Sequence, residues 1–235
     1  MTDETPQSLK TVTKAVLRKL TPPFLLQQRG VVRRLGPGAG RIYAALRLRD
    51  VLGVRRAHQR RAPASSRSFV FVCFGNIMRS AMAELLMRKA ANEAGLEEQI
   101  RIVSAGLHAS PGREAHPWVQ EASAELGISV AAHRSKLLTP EMVEQADCVF
   151  AMDFQNLAEL LTLYPQAREK MYMLSAYAEG PWQYREIPDP YLGDLAATQY
   201  CGRQLRTCIH NLLASTVLSS PPSTTSPAEP QVSGR

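Results

Sequence analysis

From residue 68 onward, short apolar runs alternate along the chain with segments of helical period. The apolar runs lack a clean polar and apolar alternation, which is typical of strands buried on both faces of a parallel sheet. Several helical segments are followed by glycine or proline, as at Gly95, Gly127 and Pro165. The pattern predicts strands at 68–73, 100–104, 147–152 and 171–174, and helices at 80–94, 116–126, 139–145, 154–164 and 194–218. This alternation indicates an α/β fold built on an open sheet with right-handed crossovers.

Residues 1–67 differ from the rest of the chain in charge. They contain 15 Lys and Arg against three acidic residues, whereas 68–235 contain 13 against 18. The predicted organisation is therefore a basic extension and linker at 1–67, an α/β domain at 68–218 and a disordered tail at 219–235. The segment GPGAG at 36–40 follows no strand and precedes no Lys-Ser/Thr pair, so we expect a flexible linker there and a helix over 41–56.

The extension has three possible uses at this stage. Leu9, Val12, Val16 and Leu20 fall on one helical face beside basic residues, the pattern of a helix lying on an anionic membrane surface. Docking on an acidic protein is equally compatible with the charge, and a solvated disordered arm is the simplest alternative. Nucleic acid is an unlikely partner, because the extension offers few aromatic side chains for base stacking.

The composition predicts a cytoplasmic location. The longest apolar run, 69–74, is far shorter than the ~18 residues of a membrane helix, and no secretory signal is visible. The four cysteines show no CxxC pair and no zinc-ligand spacing, which favours reduced thiols and no metal site. If the extension binds lipid, the protein would lie at the inner face of the membrane.

The stretch FVFVCFGNIMRSAMAELL at 69–86 carries the candidate chemistry. Cys73 ends a predicted strand, at the edge where open α/β sheets bind ligands. Gly75 and Asn76 suit a tight loop whose N–H groups point inward, and the following helix adds a partial positive charge. That is an anion site sized for phosphate, and the same field stabilises a thiolate. Arg79 supplies paired donors for a phosphoryl group, and Ser80 is a predicted N-cap whose hydroxyl could stabilise the thiolate as it leaves.

Phosphocysteine chemistry also requires an acid that protonates the leaving oxygen and later deprotonates water. Asp189 lies between Pro188 and Pro190, which present its carboxylate from a stiff loop, and Tyr191 follows. Asp-Pro alone is a common turn element, so this assignment depends on the rest of the site.

Four separated motifs, in order, resemble the low-molecular-weight protein-tyrosine phosphatase family: VCFGNIMRSAMAE, IVSAGLHA, HRSKLLTPEMVEQADCVFAMD and PDPY. The resemblance covers roughly residues 68 to 215. It implies a three-layer fold with four parallel strands flanked by helices and a phosphate loop after the first strand. It also implies Cys73 as nucleophile, Arg79 as phosphate ligand and Asp189 as general acid, with no cofactor. Supporting roles fall to Asn76, Ser80, Ser104, His133, Glu84 and Asp153, with His133 ion-paired to Glu84.

The sequence departs from the family pattern at three positions. Met78 stands where the family often has a second loop cysteine, Ser110 where it usually has an aromatic wall, and Leu192 where some members have a second tyrosine. The ring pocket is thus left to Phe74, Ile77 and Tyr191. Phosphotyrosine in a protein is the substrate that the resemblance implies, and bacterial members often oppose tyrosine kinases of polysaccharide export.

Two alternatives remain at this stage. An arsenate reductase of similar fold would relay oxidation through two further cysteines, but Cys201 and Cys208 are predicted two turns apart on one helix, about 10 Å, too far for a disulfide. A non-catalytic phosphate-binding docking module would not need nucleophile, arginine and acid together, and all three are present.

Overall fold

The computed structural model describes residues 23–54 and 59–216. Within them, four parallel strands form one sheet in the order β2-β1-β3-β4. The strands are β1 (Ser68–Cys73), β2 (Arg101–Gly106), β3 (Cys148–Ala151) and β4 (Met171–Met173). The predicted α/β class and the four-stranded parallel sheet are confirmed, with strand ends displaced by at most two residues.

Helices cover both faces of the sheet. In the described part of the chain they are α1 (Pro23–Arg34), α2 (Gly36–Val51), α3 (Arg79–Glu93), α4 (Pro117–Leu126), α5 (Pro140–Glu144), α6 (Phe154–Leu163) and α7 (Leu195–Thr216), with short 3-10 turns between them. Side-chain caps explain several starts: Thr139 accepts the Met142 N–H, and Asp153 accepts the Asn156 N–H. Gly127 ends α4 at a φ of 64°, a left-handed conformation that favours glycine.

Successive residues of the central strand β1 face opposite cores. Phe69 and Phe71 belong to one buried cluster, together with side chains of α3, α4 and α7. Val70 and Val72 belong to the other, together with side chains of α2 and α6. This two-sided burial explains the continuous apolar run of β1 and gives the three-layer arrangement.

The described part of the extension packs on the domain. Val31, Ala39, Tyr43 and Leu46 are buried in the same cluster as the residues of α6. The expected flexible linker at 36–40 is wrong, because these residues form the first turns of α2, with a proline in the first turn. Gly40 allows the close approach of α1, since a Cβ there would lie 2.5 Å from the Val32 carbonyl oxygen.

The apolar stripe from Leu9 to Leu20 and the tail at 219–235 lie outside the described residues, so their proposed roles stay predictions. The location at a membrane surface and the limits of the predicted domains also stay predictions. Among the residues that the structure describes, every helix is too short or too polar to cross a membrane.

Burial of α2 leads to a stability prediction. Leu46 is 4 % exposed, whereas Leu48 on the same helix is 61 % exposed. Leu46→Ala should lower the free energy of unfolding by about 2–4 kcal/mol, because it leaves a cavity in the shared core. Leu48→Ala is the matched control and should change it by less than about 0.5 kcal/mol. Urea unfolding measures the free energy of unfolding of both variants. If Leu46→Ala lowered it no more than Leu48→Ala does, the packing of α2 would contribute little to the stability of the domain.

Candidate active site

Asn76 organises the loop between β1 and α3. It is fully buried and has a φ of 54°, the left-handed conformation that asparagine tolerates. Its side-chain Nδ2 donates to Ser80 Oγ at 2.9 Å and to Ser104 Oγ at 2.8 Å. Its Oδ1 accepts the Lys136 N–H at 2.8 Å. These three bonds fix the loop to α3, β2 and the segment before α5, as expected of a preorganised anion site.

Gly106 leaves room for the loop between β1 and α3, and the sequence analysis did not identify it. A Cβ at Gly106 would lie 2.7 Å from the Phe74 carbonyl oxygen and 2.8 Å from the Asn76 nitrogen. The end of β2 therefore has room for the loop only because this residue is glycine. Gly75, by contrast, is not in the left-handed region, and a Cβ there would make only ordinary contact with Ile77.

The sulfur of Cys73 has two polar neighbours. Its Sγ lies 3.0 Å from Ser80 Oγ and accepts the Asn76 N–H at 3.3 Å. Ser80 is not the N-cap that the sequence predicted, because α3 already begins at Arg79. The hydroxyl instead lies between the Cys73 thiol and the Ala105 carbonyl oxygen, to which it donates at 3.3 Å. It could donate to the sulfur instead when Cys73 is a thiolate, because a thiolate only accepts.

The other three cysteines differ from Cys73 in environment. Burial raises the pKa of the Cys148 thiol to about 11 and those of Cys201 and Cys208 to about 12. These thiols therefore stay protonated and unreactive at neutral pH. Cys201 and Cys208 both lie in the core on α7, which disfavours the reductase alternative.

Arg79 lies between two carboxylates. Its Nη1 donates to Asp153 Oδ2 at 2.5 Å and to the Ile187 carbonyl oxygen at 3.0 Å, and its Nη2 donates to Asp189 Oδ2 at 2.6 Å. Burial opposes the charge, but Asp153, Asp189 and Cys73 outweigh it and raise the pKa of Arg79. Among the described residues, nothing accepts a hydrogen bond from its Nε. The guanidinium is thus permanently charged and has a free donor.

The loop that carries Asp189 is anchored at its start. The Ile187 N–H donates to the Met152 carbonyl oxygen at 2.9 Å, next to the end of β3. Asp189 Oδ1 accepts the Tyr191 N–H at 3.2 Å, and 42 % of the Asp189 side chain is exposed. The predicted acid therefore faces solvent at the mouth of the site while its other oxygen contacts Arg79.

A cavity of about 170 Å³ opens above Cys73. Phe74 and Tyr191 form half-exposed walls, and the Phe74 ring lies 4.6 Å from that of His108. The cavity is also lined by Ile77, Met78, His108, Ser110, Arg113 and Asp189. A flat ring would fit between these walls, and the basic side chains of His108 and Arg113 were not anticipated from the sequence.

Ser104, Glu84 and His133 lie around the loop, and one predicted contact among them is wrong. Ser104 donates to Glu84, and Glu84 also accepts from Arg88 at 2.9 Å. The predicted ion pair between His133 and Glu84 is wrong. His133 Nε2 lies 2.7 Å from the Asn76 carbonyl oxygen instead. A carbonyl only accepts, so His133 carries its proton on Nε2 and braces the loop directly.

Comparisons with known proteins agree with this geometry. A sequence model of the family described as "Low molecular weight phosphotyrosine protein phosphatase" matches residues 68–219. The chain is 37 % identical to the protein-arginine-phosphatase of Bacillus subtilis over 126 residues, 54 % of this chain and 81 % of that protein. It is 32 % identical to the low molecular weight protein-tyrosine-phosphatase Ptp of Acinetobacter johnsonii, over 61 % of this chain and 93 % of that protein. The crystal structure of a Bacillus subtilis YwlE mutant superposes with a TM-score of 0.57 at 33 % identity, covering 63 % of this chain and 96 % of that one.

Proposed function

Since the chain belongs to the low molecular weight phosphotyrosine protein phosphatase family, we propose that it hydrolyses phosphotyrosine in polypeptides, with Cys73 as the nucleophile. It is a phosphatase, as its relatives are. The observation that carries the proposal is that the Cys73 thiol, which accepts the Asn76 N–H, and the charged guanidinium of Arg79 lie in one site with the carboxylate of Asp189. That the substrate is a tyrosine kinase of polysaccharide export stays a prediction.

The first step forms a bond from Cys73 Sγ to phosphorus and breaks the bond from phosphorus to the ester oxygen. The phosphate oxygens accept hydrogen bonds from N–H groups of the loop and from the guanidinium of Arg79, whose Nε has no acceptor among the described residues. An incoming dianion competes with Asp189 for the Nη2 donor. Once Asp189 no longer pairs with Arg79, its carboxylate takes up a proton from solvent and gives that proton to the leaving oxygen.

The second step reverses the proton transfer. The Asp189 carboxylate takes a proton from water as the water oxygen attacks phosphorus, and the bond from phosphorus to Sγ breaks. The sulfur leaves as a thiolate that accepts from Ser80 and from the Asn76 N–H. Inorganic phosphate is released, and the enzyme returns to its starting state.

A polypeptide substrate is supported by a second, larger cavity. A groove of about 700 Å³ continues from Tyr191 and Asp189 past α6 to the corner between α1 and α2. Arg34 and Leu35 line its far end. The side chain of Arg34 would favour a substrate with an acidic flanking residue at that end.

Phosphoarginine is a second candidate, because a protein-arginine-phosphatase is among the similar proteins. Its guanidinium would need carboxylates at the pocket mouth, since a buried cation is costly without a counter-charge. The cavity above Cys73 is lined by Arg113 and His108 instead. Of the nearby carboxylates in the described part of the chain, Asp189 already contacts Arg79 and Glu159 already contacts His108. The aromatic walls Phe74 and Tyr191 suit a phenyl ring better.

Matched peptides test the substrate. We expect kcat/KM to be at least about tenfold higher for a phosphotyrosine peptide than for the phosphoarginine peptide of the same sequence. Arg34→Glu should lower kcat/KM about fivefold for the phosphotyrosine peptide with acidic flanks and leave nitrophenyl phosphate unchanged. Arg33→Glu, an exposed neighbour outside the groove, is the control. A higher kcat/KM for the phosphoarginine peptide would contradict phosphotyrosine as the substrate. Equal effects of the two arginine variants would contradict binding of the flanking residues in the groove.

A further inference from the structure

We infer that Arg47, on the N-terminal helix α2, is a positioning residue that holds the segment carrying the general acid. Arg47 lies outside the part of the chain that the family matches, which begins at residue 68. The inference rests on the roles proposed above for Arg79 and Asp189. It gives the N-terminal helices a part in the reaction, which was not among the uses of the extension expected from the sequence.

The guanidinium of Arg47 is fixed from several sides. Its Nη2 lies 2.5 Å from Glu186 Oε2, and 24 % and 19 % of the two side chains are exposed. Its Nε donates to the Tyr43 hydroxyl at 3.0 Å, and that hydroxyl contacts Gln28 on α1. The guanidinium carbon also lies 5.3 Å from the centre of the Tyr43 ring and 5.2 Å from that of Phe154. A planar cation held this way presents its donors to Glu186 in one orientation.

Glu186 joins this cluster to the catalytic residues. Its second oxygen, Oε1, accepts the Phe154 N–H at 2.8 Å. Phe154 is the first residue of α6 and directly follows Asp153, which accepts from Arg79. On the other side, the carbonyl oxygen of Ile187 accepts from Arg79, and Asp189 follows two residues later. Glu186 therefore ties the acid loop and the start of α6 to each other, with Arg47 as its counter-charge.

The negative charge of Glu186 also depends on the positive charge of Arg47. Burial raises the pKa of Glu186, while Arg47 and the Phe154 N–H oppose that rise. Without the guanidinium, a half-buried carboxylate would be left without its cation, and it would either take up a proton or turn toward solvent. Either change loosens the start of the segment 186–189. A misplaced acid costs rate mainly where proton transfer limits the reaction.

Arg47→Met tests the inference in the full-length protein, with Arg49→Met as a matched control at an exposed position of the same helix. We expect kcat for phenyl phosphate to fall about tenfold and kcat for nitrophenyl phosphate to fall less than about threefold. KM should change less than about twofold, because the phosphate loop is untouched. Arg47→Lys should restore part of the loss, since an ammonium can still pair with Glu186.

Glu186→Gln provides a second route, because it keeps an oxygen for the Phe154 N–H and removes only the charge. It should show the same dependence on the leaving group, even if Arg47→Met folds poorly. Thermal unfolding is followed in parallel, since a merely structural role would lower Tm and leave kcat unchanged well below it.

The outcomes separate two failures. A leaving-group effect in Asp189→Asn with none in Arg47→Met or Glu186→Gln would overturn the inference alone. An absence of leaving-group effects in all three variants would overturn the general-acid assignment together with it.

Discussion

Cys73→Ser is expected to abolish turnover of aryl phosphates while phosphate still binds. The hydroxyl is a far weaker nucleophile and a poorer leaving group than the thiolate, so kcat should fall by about 10³-fold or more. Phosphate binding should persist, because Arg79 and the loop held by Asn76 remain in place. Steady-state kinetics measures the first effect, and calorimetric titration with inorganic phosphate measures the second.

Cys208→Ala is the matched control for this variant. Cys208 is a buried free thiol on α7 with a raised pKa, and no step of the mechanism uses it. The activity of Cys208→Ala should stay within about twofold of that of the wild type. Residual turnover of more than a few per cent in Cys73→Ser would exclude Cys73 as the nucleophile. In the wild type, phosphate, vanadate and arsenate should compete with the substrate at the same loop.

Asp189→Asn is the second variant with a large expected effect. The amide keeps the shape of the side chain and can still accept from Arg79, but it has no proton to give to a leaving alkoxide or phenolate. We expect kcat to fall about 10²–10³-fold for phenyl phosphate and less than about tenfold for nitrophenyl phosphate, whose leaving group needs little protonation. A series of substituted phenyl phosphates measures this as a steeper dependence of kcat on leaving-group pKa.

The control is Asp194→Asn, five residues further along the chain. Asp194 is exposed and accepts the Ala197 N–H at 2.8 Å at the start of α7. Asparagine keeps that cap, so activity and stability should be nearly unchanged. If Asp189→Asn slowed good and poor leaving groups equally, another group would have to serve as the acid.

The catalytic loop was predictable because its signals are local. One short stretch contains an apolar strand, a cysteine at its end, residues that permit a tight loop, and a helix start. The strands and helices of the domain follow from the same local patterns, and their ends differ from the prediction by only one or two residues. The carboxylate at Asp189 required the family resemblance, since its sequence context is an ordinary turn.

The packing of the N-terminal helices could not be predicted in the same way. The apolar residues of α2 spread around its axis, and glycines and a proline at its start are usual in linkers. Only the tertiary structure shows that Gly40 allows a helix contact and that Tyr43 lies under Arg47. The error at His133 has a similar cause, because sequence does not reveal whether its partner is a carboxylate or a carbonyl oxygen.

The central claim is that the phosphoryl group passes through sulfur at Cys73. Its most direct test is quenching of the enzyme in alkaline denaturant within milliseconds of mixing with nitrophenyl phosphate, followed by mass spectrometry of its peptides under conditions that preserve the P–S bond. The mechanism predicts one phosphoryl group on the peptide containing Cys73, none on the corresponding peptide in Cys73→Ala, and a larger trapped fraction in Asp189→Asn, because that carboxylate activates the water. Turnover with no phosphoryl group on Cys73, or with the group on another residue, would contradict it.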